Sequence, residues 1–185
     1  EGIGDGNVSV MLHGLAMCKG LIIDVRGNGG GQLTKARTLA SHFTNERLLV
    51  GYVSHKTGKG RNDFSSLRAE YLDPASDGVR WQKPVVVLTN RAVYSAANDF
   101  VKCMKLCPNV TVMGDRTGGG SGMPFNNELP NGWSVRYSAV VYYDKDKQHT
   151  EFGIEPDIAM SMSGADIARK KDTYIEQARI FLSEK

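Results

Sequence analysis

One stretch constrains this chain more than any other: Pro84-Val-Val-Val-Leu-Thr-Asn-Arg-Ala-Val-Tyr-Ser-Ala-Ala-Asn-Asp-Phe100. A valine-rich run, Val85 to Thr89, reads as a buried strand. It ends in a short polar turn, and Ser95 followed by two alanines then opens a helix, Ser95 to Leu106. A second unit of this kind lies upstream. Leu21-Ile-Ile-Asp-Val25 reads as a buried strand that runs into Arg26-Gly-Asn-Gly-Gly-Gly31, and Leu33 to Phe43 has its apolar residues on one helical face. Strands alternating with helices predict an α/β fold with parallel pairing in the centre.

The remaining segments fill in around these units. Val8 to Met17 has a helical period. Arg47 to Val53 and Val110 to Gly114 read as strands. Ser54 to Lys83, with Gly58, Gly60, Pro74 and Gly78, reads as a long loop or insertion, the kind of segment that often forms a lid. Trp133 to Val141 alternates and predicts strands in a hairpin with Phe125 to Leu129. Ile158 to Met162 reads as a short strand, and Ala165 to Leu182 as a C-terminal helix.

At 185 residues, one domain with a sizeable core is expected over 1–185. A net charge of +3 is too small to argue for nucleic acid, and Arg169-Lys-Lys171 reads as a solvated helix face. No apolar run approaches a membrane span. Of the three cysteines, Cys103 and Cys107 share a helix face and read as buried thiols, since metal binding needs more ligands than lie nearby. Asn7-Val-Ser9 and Asn109-Val-Thr111 fit a glycosylation pattern that is common by chance.

Four pieces can carry chemistry. In Asp24 to Gly31, three consecutive glycines after a strand let a backbone N–H approach a ligand. The bland reading is a tight turn held by an Asp24–Arg26 pair. The piece matches neither a dinucleotide fingerprint nor a Walker loop. Ser95 either caps its helix, with Asn98 three residues on, or is a nucleophile. In the second case the N–H of Ala96 is the natural oxyanion donor. Gly118-Gly-Gly-Ser-Gly122 either shapes a cleft or connects strands. In His149-Thr-Glu-Phe-Gly-Ile-Glu-Pro-Asp157, Glu151 either orients a base or sits in a surface loop closed by Pro156. None of His13, His42, His55 and His149 has a local signature that marks it as a general base.

Taken in order, these pieces resemble the tail-specific (C-terminal processing) serine protease family, and within it the branch of the tricorn protease core. The residues that carry the resemblance are Gly20-Leu-Ile-Ile-Asp-Val-Arg-Gly-Asn-Gly-Gly-Gly31, Tyr94-Ser-Ala-Ala-Asn98, Val112-Met-Gly-Asp-Arg-Thr-Gly-Gly-Gly120 and Gly153-Ile-Glu-Pro-Asp-Ile158. The resemblance implies a crotonase-like (ClpP-like) fold of stacked β-α units. It implies Ser95 as nucleophile and an oxyanion hole of Ala96 and Gly30, with Gly29, Gly119 and Gly120 lining the substrate cleft. Where the bacterial and plastid enzymes carry a dyad lysine stands Gly120, and Asn98 stands where they often have Glu. A Ser–Lys dyad is therefore excluded unless a distant lysine substitutes. The tricorn-like branch instead uses a histidine and a late glutamate, best matched here by Glu151. Its histidine lies N-terminal to the core. This sequence is thus expected to be the C-terminal catalytic domain of a longer protein, weak or inactive without that histidine.

The expected function is a serine peptidase core acting on extended peptides. No metal or cofactor is required, and a homo-oligomer is possible. The resemblance suggests a periplasmic, cell-envelope or secreted location. Two rivals stay open: a non-catalytic binding module of the same fold, and a crotonase-type acyl-CoA enzyme that would not need Ser95.

Overall fold

A computed structural model of the protein describes residues 5–185. Its elements are α1 (Asp5–Gly14), β1 (Leu21–Asp24), α2 (Leu33–Ser41), β2 (Leu48–His55), β3 (Arg68–Leu72), β4 (Val85–Thr89), α3 (Ala96–Met104), β5 (Val110–Gly114), β6 (Pro124–Glu128), β7 (Ser134–Ser138), β8 (Val140–Tyr143), β9 (Ile158–Ala159), α4 (Gly164–Ala168) and α5 (Thr173–Ser183). A central sheet runs β1-β4-β5-β9, every pair parallel. A second sheet, β3-β2-β8, is antiparallel, and β6-β7 form a separate hairpin.

β4 explains the layering. All its residues are buried, and alternate side chains on a strand point to opposite faces. Val85 and Val87 join Phe100, Val101 and Met104 of α3 in the main core. Val86 and Leu88 pack with Tyr174 and Ala178 of α5 on the other side. Helices therefore cover both faces of the parallel sheet, as the crossovers of such a sheet require. Both Ser95 and the Gly29–Gly31 turn follow C-terminal ends of adjacent strands. Ligands of open parallel sheets bind at that end.

Several boundaries differ from the sequence expectation. Residues 54–83 are not one long loop. β2 runs on to His55, and Arg68–Leu72 pairs antiparallel with it across a register shift at Leu49/Gly51. The connecting turn is held by the Asp63 carboxylate, which accepts the Gly60 N–H at 2.6 Å. Trp81 is buried in the main core. The strand expected over 133–141 divides at Ala139. Its first half forms the hairpin, and its second half, β8, crosses to pair with β2. The C-terminal helix is broken by Lys170, which has φ 55°. The basic run Arg169–Lys171 thus lies in the turn between α4 and α5. The last strand spans two residues rather than five.

The break is fixed by charge. The Asp172 carboxylate caps α5 by accepting the N–H groups of Tyr174 and Ile175. It also accepts from Arg26, whose guanidinium bridges it to Asp24 at 2.7 and 2.6 Å. The expected Asp24–Arg26 pair is therefore part of a clamp joining the glycine turn to α5. Hydrogen bonds from Arg26 hold both carboxyls below their ordinary value of 3.8. A lowered folded-state value means that the stabilisation is complete above the unfolded value and is lost as pH falls through the folded one. Both carboxylates are more than a third exposed, so solvent screening trims the effect. Arg26→Met is expected to lower Tm by about 2–4 °C near neutral pH. As pH falls through the lowered folded-state values and both carboxylates take up protons, the difference should shrink. Thermal melts across that range would check it.

Candidate active site

Ser95 occupies the sharp turn between β4 and α3 with φ 56° and ψ −124°. That backbone conformation is unfavourable for a residue with a Cβ and persists only where its surroundings impose it. Two tethers do so. The Ser95 N–H donates to the Gly119 carbonyl at 2.8 Å, and the Tyr94 N–H donates to the Asn28 carbonyl at 3.0 Å. The Ser95 hydroxyl does not cap α3. The capping alternative therefore fails, and the hydroxyl has no hydrogen-bond partner among the described residues at the rim of a cleft of about 320 Å³.

The Ala96 N–H opens α3 and has no partner among the described residues. Gly30 lies directly against this turn. A Cβ on Gly30, which has φ +103°, would stand 2.7 Å from the Ser95 Cβ and 2.9 Å from the Ala96 nitrogen. Only glycine permits that approach. The Gly30 N–H donates to Asn28 Oδ1 at 3.0 Å, so it must exchange this partner to bind an oxyanion. The next N–H, of Gly31, has none, and Gly31 lines the cleft with Ser95. Gly29 is exposed in the same turn.

The second glycine loop backs Ser95. A Cβ on Gly119 would run into the Glu151 carbonyl, and one on Gly120 into the Tyr94 ring. The Gly120 N–H donates to the Glu151 carbonyl at 3.0 Å. The Glu151 backbone is thus brought next to the Ser95 tether. Its N–H donates to His149 Nδ1 at 3.2 Å, and its carboxylate does not line the Ser95 cleft.

The histidines stand elsewhere. His149 packs between Tyr143 and Phe152 and lines a different cavity. His42 is buried against Asp77 at 3.1 Å, His13 bonds the Ser9 carbonyl, and His55 ends β2. None of the four lines the cleft beside Ser95. Cys103 and Cys107 are buried thiols, as expected, and burial pushes Cys107 up to about 11.

Asn98, a capping partner in the local reading and the position where the dyad enzymes often carry Glu, is the buried hub of this region. Its amide donates to Ser121 Oγ at 2.9 Å and to the Thr150 carbonyl at 3.3 Å, and it accepts from Thr117 Oγ1 at 2.6 Å. It ties α3 to both loops that shape the cleft. Glutamate there would be acceptor-only when ionised and could make neither donation. Asn98→Ala strands these partners, and a loss of about 2–3 kcal/mol in urea unfolding is expected. A further group escaped the sequence reading. Arg37 of α2, Glu70 of β3, and Asp99 and Lys102 of α3 form a half-buried to buried ion cluster behind the cleft. Only the i, i+3 spacing of Asp99 and Lys102 signalled it in the sequence.

This geometry can be set beside known proteins. The model of peptidase family S41 matches residues 3–160. The carboxy-terminal processing protease CtpA of Bacillus subtilis is 27% identical over 142 residues, which are 76% of this chain and 28% of that protein. A candidate peptidase from Parabacteroides merdae is 55% identical, with TM-score 0.93, over 98% of this chain and 57% of its own. Mature CPAF shares the fold at 18% identity, with TM-score 0.82, over 96% of this chain and 46% of its own. The chain therefore spans between about a quarter and three fifths of these proteins. With the match running from α1 through β9 and across every loop that surrounds Ser95, the chain belongs to peptidase family S41.

Proposed function

We propose that this chain is the core of a serine-type peptidase that hydrolyses peptide bonds through an acyl-enzyme on Ser95. The observation that carries the reading is the strained, uncapped Ser95 beside the open N–H of Ala96, with Gly30 packed against both. Ser95 Oγ attacks the scissile carbonyl carbon as a general base takes its proton. The carbonyl oxygen becomes an oxyanion held by Ala96 and by the Gly30 turn, with the N-terminus of α3 adding its positive end. Collapse expels the amine, which takes the proton back from the base. Water, activated by the same base, then releases the acyl group.

The base is a histidine from outside these residues, since all four histidines here lie away from the cleft. Glu151 positions it once it arrives. Gly29, Gly119 and Gly120 supply backbone to an extended substrate. The stacked β-α units follow the crotonase (ClpP-like) plan. A cell-envelope, periplasmic or secreted setting belongs to this reading through the family resemblance alone, and no helix among the described residues is long and apolar enough to cross a membrane.

Fluorophosphonate labelling read by intact mass tests the reading. One adduct is expected on the protein joined to its native upstream sequence, and none on Ser95→Ala. An adduct that survives Ser95→Ala, or no adduct at all, overturns it and favours a binding module.

A further inference from the structure

Among the described residues β6 and β7 pair only with each other, and every residue of both strands is exposed. Side chains alternate between the two faces of such a ribbon, so its cross-strand partners sort into two sets. Phe125 with Tyr137 and Asn127 with Val135 share one face. Leu129 and Trp133 continue that face past the strand ends, where the Leu129 N–H donates to the Trp133 carbonyl at 2.7 Å. Asn126 with Arg136 and Glu128 with Ser134 share the other face. The first face is thus apolar and the second polar. On the apolar one Phe125 and Tyr137 stack with ring centroids 6.4 Å apart, and Trp133 is 70% exposed. This face starts at the cleft, because Met123, which lines the cleft with Ser95, leads directly into β6.

A two-stranded ribbon with no third strand and an uncovered apolar face is marginally stable in water, and a contiguous apolar face of this kind marks an interaction surface. From this geometry we infer that the apolar face of the hairpin is the docking surface for the upstream part of the same polypeptide, and that docking there carries the general base to Ser95. The second step rests on the peptidase reading above. Three observations choose this occupant over a separate molecule. The apolar side chains of the face present on the order of 500 Å², short of the about 800 Å² per partner that a stable complex of separate chains buries. A segment already tied to this chain needs less, since the tether gives it a high effective concentration. The Parabacteroides merdae relative has such further chain, because the match takes in 98% of this chain but 57% of that one. Finally, the face adjoins a cleft that no described histidine lines, so a segment that covers Phe125 and Met123 stands beside Ser95.

The test uses two readouts on the protein joined to its native upstream sequence. In the first, p-benzoylphenylalanine replaces Asn127, which shares the apolar face without adding to it, and the photo-cross-link is mapped by mass spectrometry. A link to upstream residues of the same molecule is expected. A link to downstream residues or to a second copy, or no link at all, overturns the inference. The second readout is the rate of fluorophosphonate labelling. Trp133→Glu combined with Tyr137→Glu puts charge on the face at two residues that do not line the Ser95 cleft. This double variant should lose the upstream cross-link and slow labelling by about 10²-fold, the cost of a misplaced catalytic group. Ile167→Glu, at a 58% exposed apolar position on α4, should change neither readout. Native labelling in the folded double variant, or an equal loss in Ile167→Glu, overturns the inference. An upstream cross-link with no labelling of the wild type keeps the docking surface and strikes the nucleophile reading alone.

Discussion

Ser95→Gly is expected to stabilise this protein while destroying the proposed peptidase activity. The backbone at Ser95, with φ 56° and ψ −124°, suits glycine far better than serine. Relief of strain of about 1–3 kcal/mol outweighs the extra chain entropy of about 0.5–1 kcal/mol that glycine loses on folding. The hydroxyl makes no hydrogen bond among the described residues that would be missed. A net gain of about 1 kcal/mol should raise Tm by about 2–4 °C for a chain of this length. Activity should fall by about four to six powers of ten, the cost typical of losing a catalytic serine. Differential scanning calorimetry and peptide hydrolysis, run on the same preparations of the protein joined to its native upstream sequence, check both halves. A drop in Tm would mean that the turn is not strained by its serine. Retained activity would remove Ser95 from the chemistry.

Gly30→Val is expected to damage stability and activity together. Its Cβ would sit 2.7 Å from the Ser95 Cβ and from the Tyr94 carbonyl oxygen, at φ +103°. Backbone atoms rather than a flexible side-chain tip block it, so the turn must move. A cost of about 2–4 kcal/mol follows from overpacking plus the positive φ. Displacing the turn also spoils the proposed oxyanion site, worth about 10²–10³ in kcat. Gly27→Ala is the internal comparison. Gly27 also has positive φ, +77°, but a Cβ there meets nothing within 4 Å. It should cost about 1 kcal/mol and leave kcat in place. Urea unfolding with steady-state kinetics separates the two. Equal effects from both variants would show that Gly30 matters only through its backbone angle.

The local signals that were legible share one property: each is written within a few residues. The valine run of β4 announces its own burial, because a strand covered on both faces has no polar position to spare. Gly30 and the glycines at 118–120 mark close backbone approach, and Ser95-Ala-Ala marks a helix start. The capping alternative for Ser95 was also locally reasonable. It fails because Gly119 and Asn28 hold the turn at φ 56° and ψ −124°, where the hydroxyl makes no cap hydrogen bond to its own helix.

What was not legible depends on partners distant in the chain. Arg68–Leu72 has no strong strand pattern, and it is a strand because β2 offers it an unpaired edge. Ala139 divides one alternating run between two sheets because β8 finds β2. The helix expected through residue 182 from residue 165 breaks where Asp172 is drawn to Arg26, 146 residues away. The sequence by itself therefore determined the α/β class, the parallel centre and the position of Ser95, since these follow from hydrophobic period and glycine placement. Only the tertiary structure decided that Asn98 is a hub, that Arg37 and Lys102 pair with Asp99, and that no histidine here reaches the cleft. Hydrogen bonds and ion pairs between remote segments are set by where the backbone carries them, and neighbouring residue types do not encode that distance.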